Sequence, residues 1–319
     1  MQKQPLIILT GPTAVGKTKA SIGLAKAIGG EIISADSMQV YKYMDIGSAK
    51  IRPKEMQHVP HYLVDELEPD DEFHVVRFQQ MAKEAMKKIY AAGHIPIVVG
   101  GTGFYIQALL YDIDFTDNDN DTSFRAELES FAKEHGAEAL HEKLREVDQK
   151  SAETIHANNI KRVIRALEFY QKTGMKISEH NETERQKESP YQFVYFVLND
   201  DRENLYRRID LRVDQMIEEG LVAEVKGLKA RGYDRSMVSM QGLGYKEILD
   251  YLDGACTLED AIYKIKRDTR HFAKRQITWF KREKHVTWIN KKDYNYDEDK
   301  ILEVMLESIK KDILEEQSC

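Results

Sequence analysis

Residues Gly11, Pro12, Thr13, Ala14, Val15, Gly16, Lys17 and Thr18 fit the pattern G-x-x-x-x-G-K-[ST]. They lie between an apolar run, Leu6–Leu9, and a helical pattern over Thr18–Ile28 that Gly29-Gly30 closes. Few folds accept a buried strand that runs through a glycine loop straight into a helix. The pattern predicts a parallel sheet covered by helices, with the loop at the carboxyl edge of its strand. The residue types suit an anion: glycines let backbone N–H groups turn inward, and the helix start adds its positive dipole end. Lys17 brings a point charge, and the hydroxyl of Thr18 is placed to hold Mg²⁺. The loop specifies a polyphosphate without saying which one.

The next segments keep the same rhythm. Glu31–Ala35 and Ile95–Val99 read as strands, the second closed by Gly100-Gly101, and Phe78–Ala91 as a helix. The strands lack polar alternation, as strands covered on both faces do. At residue 112 the texture changes. Asp112, Asp114, Asp117, Asp119 and Asp121 crowd together with Asn118 and Asn120, which reads as a solvated connector. From Ser123 to about His180 the chain looks helical. Ile160, Val163, Ile164 and Leu167 form one stripe, with Asn159 as N-cap and Gly174 past the end. Phe193–Leu198 then returns as a strand. The predicted architecture is an α/β fold, a P-loop NTPase-like parallel sheet core with an inserted all-helical domain. Residues 1–121 are the first part of the core, 122–189 the insertion, and 190–319 the mostly helical remainder of the core.

Composition narrows the partners. Forty-seven basic residues against fifty-four acidic ones give a net charge of −7, so nucleic-acid contact requires a local patch. Two cysteines, Cys256 and Cys319, cannot build a disulfide framework, and no stretch reaches the roughly 20 apolar residues of a membrane span. A cytoplasmic protein is expected.

One such patch exists. From Lys264 to His285 there are nine Lys or Arg residues, opposed there only by Asp268 and Glu283. Thr257-Leu258-Glu259-Asp260 opens this segment as a capping box. Leu258, Ile262, Ile265, Thr269, Phe272, Gln276 and Trp279 recur on one packed stripe, leaving a basic face about 40 Å long if the helix runs to Lys284. Lys161, Arg162 and Arg165 repeat this arrangement on a smaller scale opposite the stripe at 160–167. Arg202, Arg207, Arg208 and Arg212 follow the strand Phe193–Leu198, where arginines of phosphate-loop proteins close over leaving phosphates.

Acids and hydroxyls at the sheet edge complete the candidates. Asp36 follows the strand Glu31–Ala35 and opens Asp36-Ser37-Met38-Gln39-Val40-Tyr41. It serves either as a ligand-facing acid or as the cap of its own turn. Thr102, in Gly100-Gly101-Thr102-Gly103, should face the same crevice. No carboxylate ends the strand Ile95–Val99, and only Tyr62-Leu63-Val64-Asp65-Glu66 faintly resembles a strand carrying a second metal-holding acid, against an ordinary loop acid.

Taken together, GPTAVGKT (11–18), DSMQVY (36–41), GGTGFYIQAL (100–109), RVIRALE (162–168), QGLGYKE (241–247) and TRHFAKRQITWF (269–280) resemble the tRNA dimethylallyltransferase, or tRNA isopentenyltransferase, family. The resemblance implies transfer of a dimethylallyl group from dimethylallyl diphosphate to the exocyclic amine of adenine 37 in tRNA, beside the anticodon. It makes Asp36 the general base and Thr102 its partner in fixing the amine. Residues 11–18 and Arg208 hold the diphosphate, with Mg²⁺ on Thr18. Contacts to the tRNA come from Asp36, Ser37, Met38, Gln39 and Thr102, and from Arg125, Lys161, Arg162, Val163, Ile164 and Arg165. Further contacts come from Met240, Gln241, Gly242, Leu243, Gly244 and Tyr245, and from Lys274 and Arg275. The protein would act as a monomer with no obligate protein partner and no membrane. The competing readings are a phosphate-loop small-molecule kinase, an adenylate isopentenyltransferase acting on the free nucleotide, and a non-catalytic RNA-binding module.

Overall fold

The computed structural model describes residues 3–115 and 123–314. Asp117, Asn118, Asp119, Asn120 and Asp121 of the expected connector lie outside them. The chain forms two compact units, Met1–Leu110 with Pro190–Cys319, and Tyr111–Ser189.

The first unit is built on β1 (Gln4–Thr10), β2 (Gly30–Ala35), β3 (His61–Tyr62), β4 (Ile95–Gly100), β5 (Tyr191–Asn199) and β6 (Val286–Asn290). They form one parallel sheet in the order β3-β2-β4-β1-β5-β6. Its helices are α1 (Lys17–Ile28), α2 (Pro53–Met56), α3 (Val75–Ala91) and α4 (Gly103–Leu110), then α9 (Arg202–Glu218), α10 (Leu221–Ala230), α11 (Tyr245–Leu252), α12 (Leu258–Phe280) and α13 (Glu298–Ile309). On one face of the sheet Ile7, Leu9, Ile97, Phe196 and Leu198 pack in one cluster with Leu24 of α1, Leu205 and Ile209 of α9, and Met305 of α13, and on the other Leu6, Ile8, Val98, Tyr195 and Val197 are buried as well. The register sets Thr10 and Ala35 each beside Gly100, so the loops leaving β1, β2 and β4 emerge side by side at one edge. A Cβ on Gly100 would lie 2.1 Å from the Ala35 carbonyl oxygen, so glycine is needed for this close approach.

The region after the basic helix departs from the sequence expectation. α12 stops at Phe280 after 23 residues, about 35 Å, so Lys281–His285 lie beyond the helix. The chain then enters β6, which pairs with β5. Val286, Thr287, Trp288 and Ile289 are β-branched or aromatic, and Ile289 is wholly buried. The stretch Tyr62–Glu66 keeps strand geometry only at Tyr62, because Leu63 and Asp65 take positive φ (60° and 62°).

The second unit contains α5 (Ser123–Val147), α6 (Gln149–Thr154), α7 (Ile160–Thr173) and α8 (Ile177–Gln186). α5 is interrupted at Gly136, whose φ of 86° no helix accommodates. Leu128, Leu140 and Leu144 pack against Val163, Ile164 and Leu167 of α7. Asp148 ties α6 to α8: its carboxylate accepts the N–H and hydroxyl of both Ser151 and Ser178. The unit begins at Tyr111, ahead of the boundary expected at 122. Asp114 already belongs to it, because its N–H donates to Glu184 of α8.

Candidate active site at the carboxyl edge of the sheet

The phosphate loop joins β1 to α1. Gly11 (φ 146°) faces the Leu198 carbonyl of β5, and Gly16 (φ 100°) is the residue from which α1 starts. No side chain caps that start, and no acid stands in its first turn. Among the described residues the N–H groups of Ala14, Gly16, Lys17 and Thr18 have no hydrogen-bond acceptor. Lys17 folds over the loop, its Nζ donating to the carbonyls of Gly11 (2.9 Å) and Pro12 (3.0 Å). Burial pushes this ammonium down to about 8, while the Asp36 carboxylate pulls it up and Arg212 pushes it further down. The cradle is therefore cationic, short of counter-charge and lined with free donors.

Of the four arginines after β5, two reach this loop. Arg208 donates from Nε to the Ala14 carbonyl (2.8 Å). Arg212, one helical turn on, is close enough to Asp36 for the carboxylate to oppose the lowering of its proton affinity by burial. Arg202 lies over Tyr206, and Arg207 donates to Asn204, so these two turn elsewhere on α9. Lys291 adds a cation that the sequence did not suggest. It is buried, ion-paired with Glu298 at 2.5 Å, and its Nζ lies 3.0 Å from where a Cβ on Gly16 would stand.

Asp36 caps its own turn. Its Oδ1 accepts the N–H groups of Met38 (2.8 Å) and Gln39 (3.4 Å), and its charge lies near enough to Lys17 and Arg212 to raise their proton affinity. No hydrogen bond falls on its Oδ2 among the described residues. Thr102 is held beside it, since its N–H donates to the carbonyl of Ala35 (3.2 Å). Gln276 of α12 spans from this loop to the cradle: Nε2 donates to the Gly101 carbonyl (2.9 Å), and Oε1 accepts the Thr13 N–H (2.8 Å). Asp65 is not free for a metal, because Lys50 Nζ bonds it at 2.8 Å and Asp45 at 2.6 Å.

The segment after Asp36 meets the turn at 239–244. Met38 lies against Gly242, where a Cβ would stand 2.5 Å from its methyl carbon. Two residues expected to touch RNA from this turn do not face solvent. Met240 and Tyr245 are 0% exposed. Tyr245 packs on Gly47, donates its hydroxyl to Glu224 (2.8 Å) and accepts the Ser48 N–H (3.2 Å). Glu224 in turn accepts the N–H groups of Asp45, Ile46 and Gly47. Tyr245 thus braces the turn from behind. Gln241, Gly242 and Leu243 remain accessible, while Gly244 supplies the bend into α11.

Helix α12 is less cationic than its sequence, because its partners carry acids. Lys266 pairs with Asp214 and Arg270 with Asp210, both on α9, and Arg267 pairs with Asp268. Lys274, Arg275, Lys281, Arg282 and Lys284 are exposed with no ion pair among the described residues. Apart from Lys264, which has no ion pair among the described residues either, the free charge gathers toward the end of α12 that lies on the Gly101–Phe104 segment, where Trp279 packs edge-on to Phe104.

A family model described as IPP transferase matches residues 39–283. The chain is 64% identical to the tRNA dimethylallyltransferase of Lachnoclostridium phytofermentans, over 98% of this chain and 99% of that one. It is 52% identical to the enzyme of the same name from Acetivibrio thermocellus, over 92% and 94%. The crystal structure of the full-length tRNA isopentenylpyrophosphate transferase from Bacillus halodurans aligns with a TM-score of 0.74 at 44% identity, covering 99% of this chain and 100% of that one. A eukaryotic dimethylallyltransferase caught acting on tRNA aligns with a TM-score of 0.77 at 31% identity, covering 90% of this chain and 74% of that one. The chain belongs to the IPP transferase family. These relatives favour the transferase reading over the kinase.

The helical unit of this IPP transferase presents Lys161, Arg162 and Arg165 to solvent from α7. Val163 and Ile164, expected with them as RNA contacts, are 0% and 2% exposed and belong to the unit's core, as a stripe at i, i+3, i+4 spacing must. Arg125 is exposed and grips Glu168 through two bonds, 2.9 and 2.7 Å. The sequence reading missed Gln276 and Lys291 as neighbours of the loop. For Gln276 a signal existed: an amide on an otherwise apolar and aromatic stripe needs buried partners.

Proposed function

We propose that this enzyme transfers the dimethylallyl group of dimethylallyl diphosphate to N6 of adenine 37 in tRNA, as a cytoplasmic monomer. The donor's diphosphate lies in the loop Gly11–Thr18, against the free N–H groups, Lys17 and the Arg208–Arg212 face of α9. The acceptor base, flipped out of the anticodon loop, enters from the side of Asp36 and Thr102. The exposed cations at the end of α12, with Ser37, Gln39 and the Gln241–Leu243 turn, hold the RNA around it, and those of α7 give the helical unit an RNA-binding surface of its own.

In the reaction, N6 forms a bond to C1 of the dimethylallyl group as the C1–oxygen bond to the diphosphate breaks. The bonding pair leaves with the diphosphate, whose growing negative charge falls on donors already aimed at it. The amine is a weak nucleophile because its lone pair is delocalised into the ring, and it loses a proton as the bond to carbon forms, with Asp36 Oδ2 the acceptor at hand. Thr102, fixed through its N–H to Ala35, orients the amine. The exposed hydroxyl of Thr18, free of hydrogen bonds among the described residues, suits an ion that keeps most of its waters and shares phosphate oxygens. Mg²⁺ there would neutralise leaving-group charge.

The observation that carries this reading is the strand register, which brings Asp36 and Thr102 to the same sheet edge as the open phosphate loop, near enough for the Asp36 charge to act on Lys17. The test is incubation with labelled dimethylallyl diphosphate, unmodified tRNA and Mg²⁺, followed by nucleoside analysis. Asp36→Ala should keep tRNA affinity and lose transfer by at least about 10²-fold. Full activity in that variant would remove Asp36 as the base, and label transfer to free AMP as readily as to tRNA would move the enzyme to the free-nucleotide class.

A further inference from the structure

We infer that Gln276 is a positioning residue for prenyl transfer, one that sets the spacing between the diphosphate cradle and the acceptor side of the site. The inference rests on the reading above that donor and adenine meet at this edge. Gln276 is 6% exposed, on the packed face of α12, and both ends of its amide are used. Oε1 accepts the Thr13 N–H at 2.8 Å, and Nε2 donates to the Gly101 carbonyl at 2.9 Å. The two partners lie in the loops that follow neighbouring strands, β1 and β4. A side chain 263 residues away from Thr13 thus joins the loop that holds the leaving group to the loop that carries Thr102.

Three features make this a spacer. First, the approach is built into the backbone: a Cβ on Gly101 would stand 2.1 Å from Nε2. One turn along α12, Trp279 lies against Gly103, where a Cβ would stand 2.2 Å from the indole. The helix therefore seats flat on the Gly101–Gly103 segment. Secondly, the amide has one orientation that works, because Thr13 offers only a donor and Gly101 only an acceptor. Thirdly, the links form a chain. Thr13 is fixed to Gly101 through Gln276, and Thr102 is fixed to Ala35, the residue before Asp36. Cradle, Thr102 and Asp36 share one set of hydrogen bonds, in which Gln276 is the side chain that α12 contributes. The Thr13 N–H is also withdrawn from the anion, which leaves the donors of Ala14, Gly16, Lys17 and Thr18 to define the cradle.

The chemistry needs the acceptor nitrogen in line with a breaking bond, and a misplacement of about 1 Å costs on the order of 10² in rate. Gln276→Met keeps the length of the side chain and removes both hydrogen bonds. It should lower kcat by about 10²-fold while KM for dimethylallyl diphosphate and the Kd for tRNA stay near wild type. Gln276→Glu supplies a sharper readout. Ionised, it sets an oxygen against the Gly101 carbonyl oxygen; protonated, its hydroxyl donates there as Nε2 does, with the other oxygen accepting from Thr13. The activity of Gln276→Glu relative to wild type should therefore rise as pH falls, and that of Gln276→Met should not. Single-turnover prenyl transfer from pH 5.5 to 8.5, with thermal unfolding and tRNA binding of each variant, makes the measurement. Wild-type kcat in Gln276→Met overturns the inference. So does a fall of kcat, donor affinity and tRNA affinity together, which is what general loosening produces. A wild-type chain that transfers no prenyl group would instead overturn the reading on which the inference rests.

Discussion

The phosphate loop and the turn before α11 are two versions of the same device. Each ends in a glycine of positive φ, 100° at Gly16 and 92° at Gly244, from which a helix starts. At α1 the first turn reads Lys17-Thr18-Lys19, with no acid, and the exposed N–H groups await an anion. At α11 the first turn carries Glu247, whose carboxylate reaches back to the Gly244 N–H at 2.8 Å, while Tyr245 and Lys246 donate to the Gly242 carbonyl. A glycine hinge therefore specifies only a bend. Whether the helix start becomes a binding site depends on whether the sequence supplies its own anion.

The contrast can be broken by placing the same strain in both hinges. Alanine at φ near +100° costs about 1–3 kcal/mol. In Gly16→Ala that cost falls on the cradle, and the new methyl group also meets Lys291 Nζ at 3.0 Å. The affinity for dimethylallyl diphosphate should fall by one to two orders of magnitude, roughly what that strain is worth, with tRNA binding intact. Gly244→Ala should lower the unfolding temperature and leave donor affinity alone. Equal losses of donor affinity in the two variants would show that both turns serve the donor.

Proton titration sharpens the same contrast, because the open cradle holds a lysine with a depressed pKa and the turn before α11 holds none. Lys17 is held near 8 by burial, against the pull of Asp36, and a bound diphosphate needs it protonated. Above that pH the free enzyme loses the proton, so donor affinity should fall as pH rises, by about fivefold between pH 8 and pH 9 for a single coupled group. The donor's phosphate ionisation, near pH 6, is complete in that window and does not contribute. Donor binding measured by competition with diphosphate, with Lys17→Met as the flat control, reads this directly. A flat wild-type profile would show that Lys17 keeps its proton throughout.

The sequence revealed whatever was local. The strand–loop–helix at residues 4–28 is legible because each part has its own pattern, and the neighbourhood of Asp36 and Thr102 follows from the rule that parallel strands share an edge. What it hid was between elements. The basic face of α12 is cut down by Asp210 and Asp214, which sit on α9 and look in sequence like ordinary helix acids. Gln276 reads as one member of a stripe because its partners, Thr13 and Gly101, are distant in the chain. β6 has β-branched and aromatic residues but is short and follows a charged run, and its place in the sheet is set by pairing with β5.

The smallest effect concerns Tyr245, which a motif-based reading sets against RNA and the structure sets behind the turn. Its hydroxyl lies between Glu224 and the Ser48 N–H and is raised well above its ordinary pKa, mainly by burial and then by Glu224. Tyr245→Phe keeps the ring against Gly47 and removes one buried hydrogen-bonding group. Glu224 retains the N–H groups of Asp45, Ile46 and Gly47, so the loop after Asp36 stays anchored. The expected cost is about 1 kcal/mol, a fall in unfolding temperature of roughly 2–4 °C for a unit of this size, with tRNA affinity unchanged. A drop in tRNA affinity of tenfold or more at an unchanged unfolding temperature would reverse the assignment. Tyr245 would then have to be reached by RNA through an opening of the turn, and the closed helix start of α11 would be a gate rather than a brace.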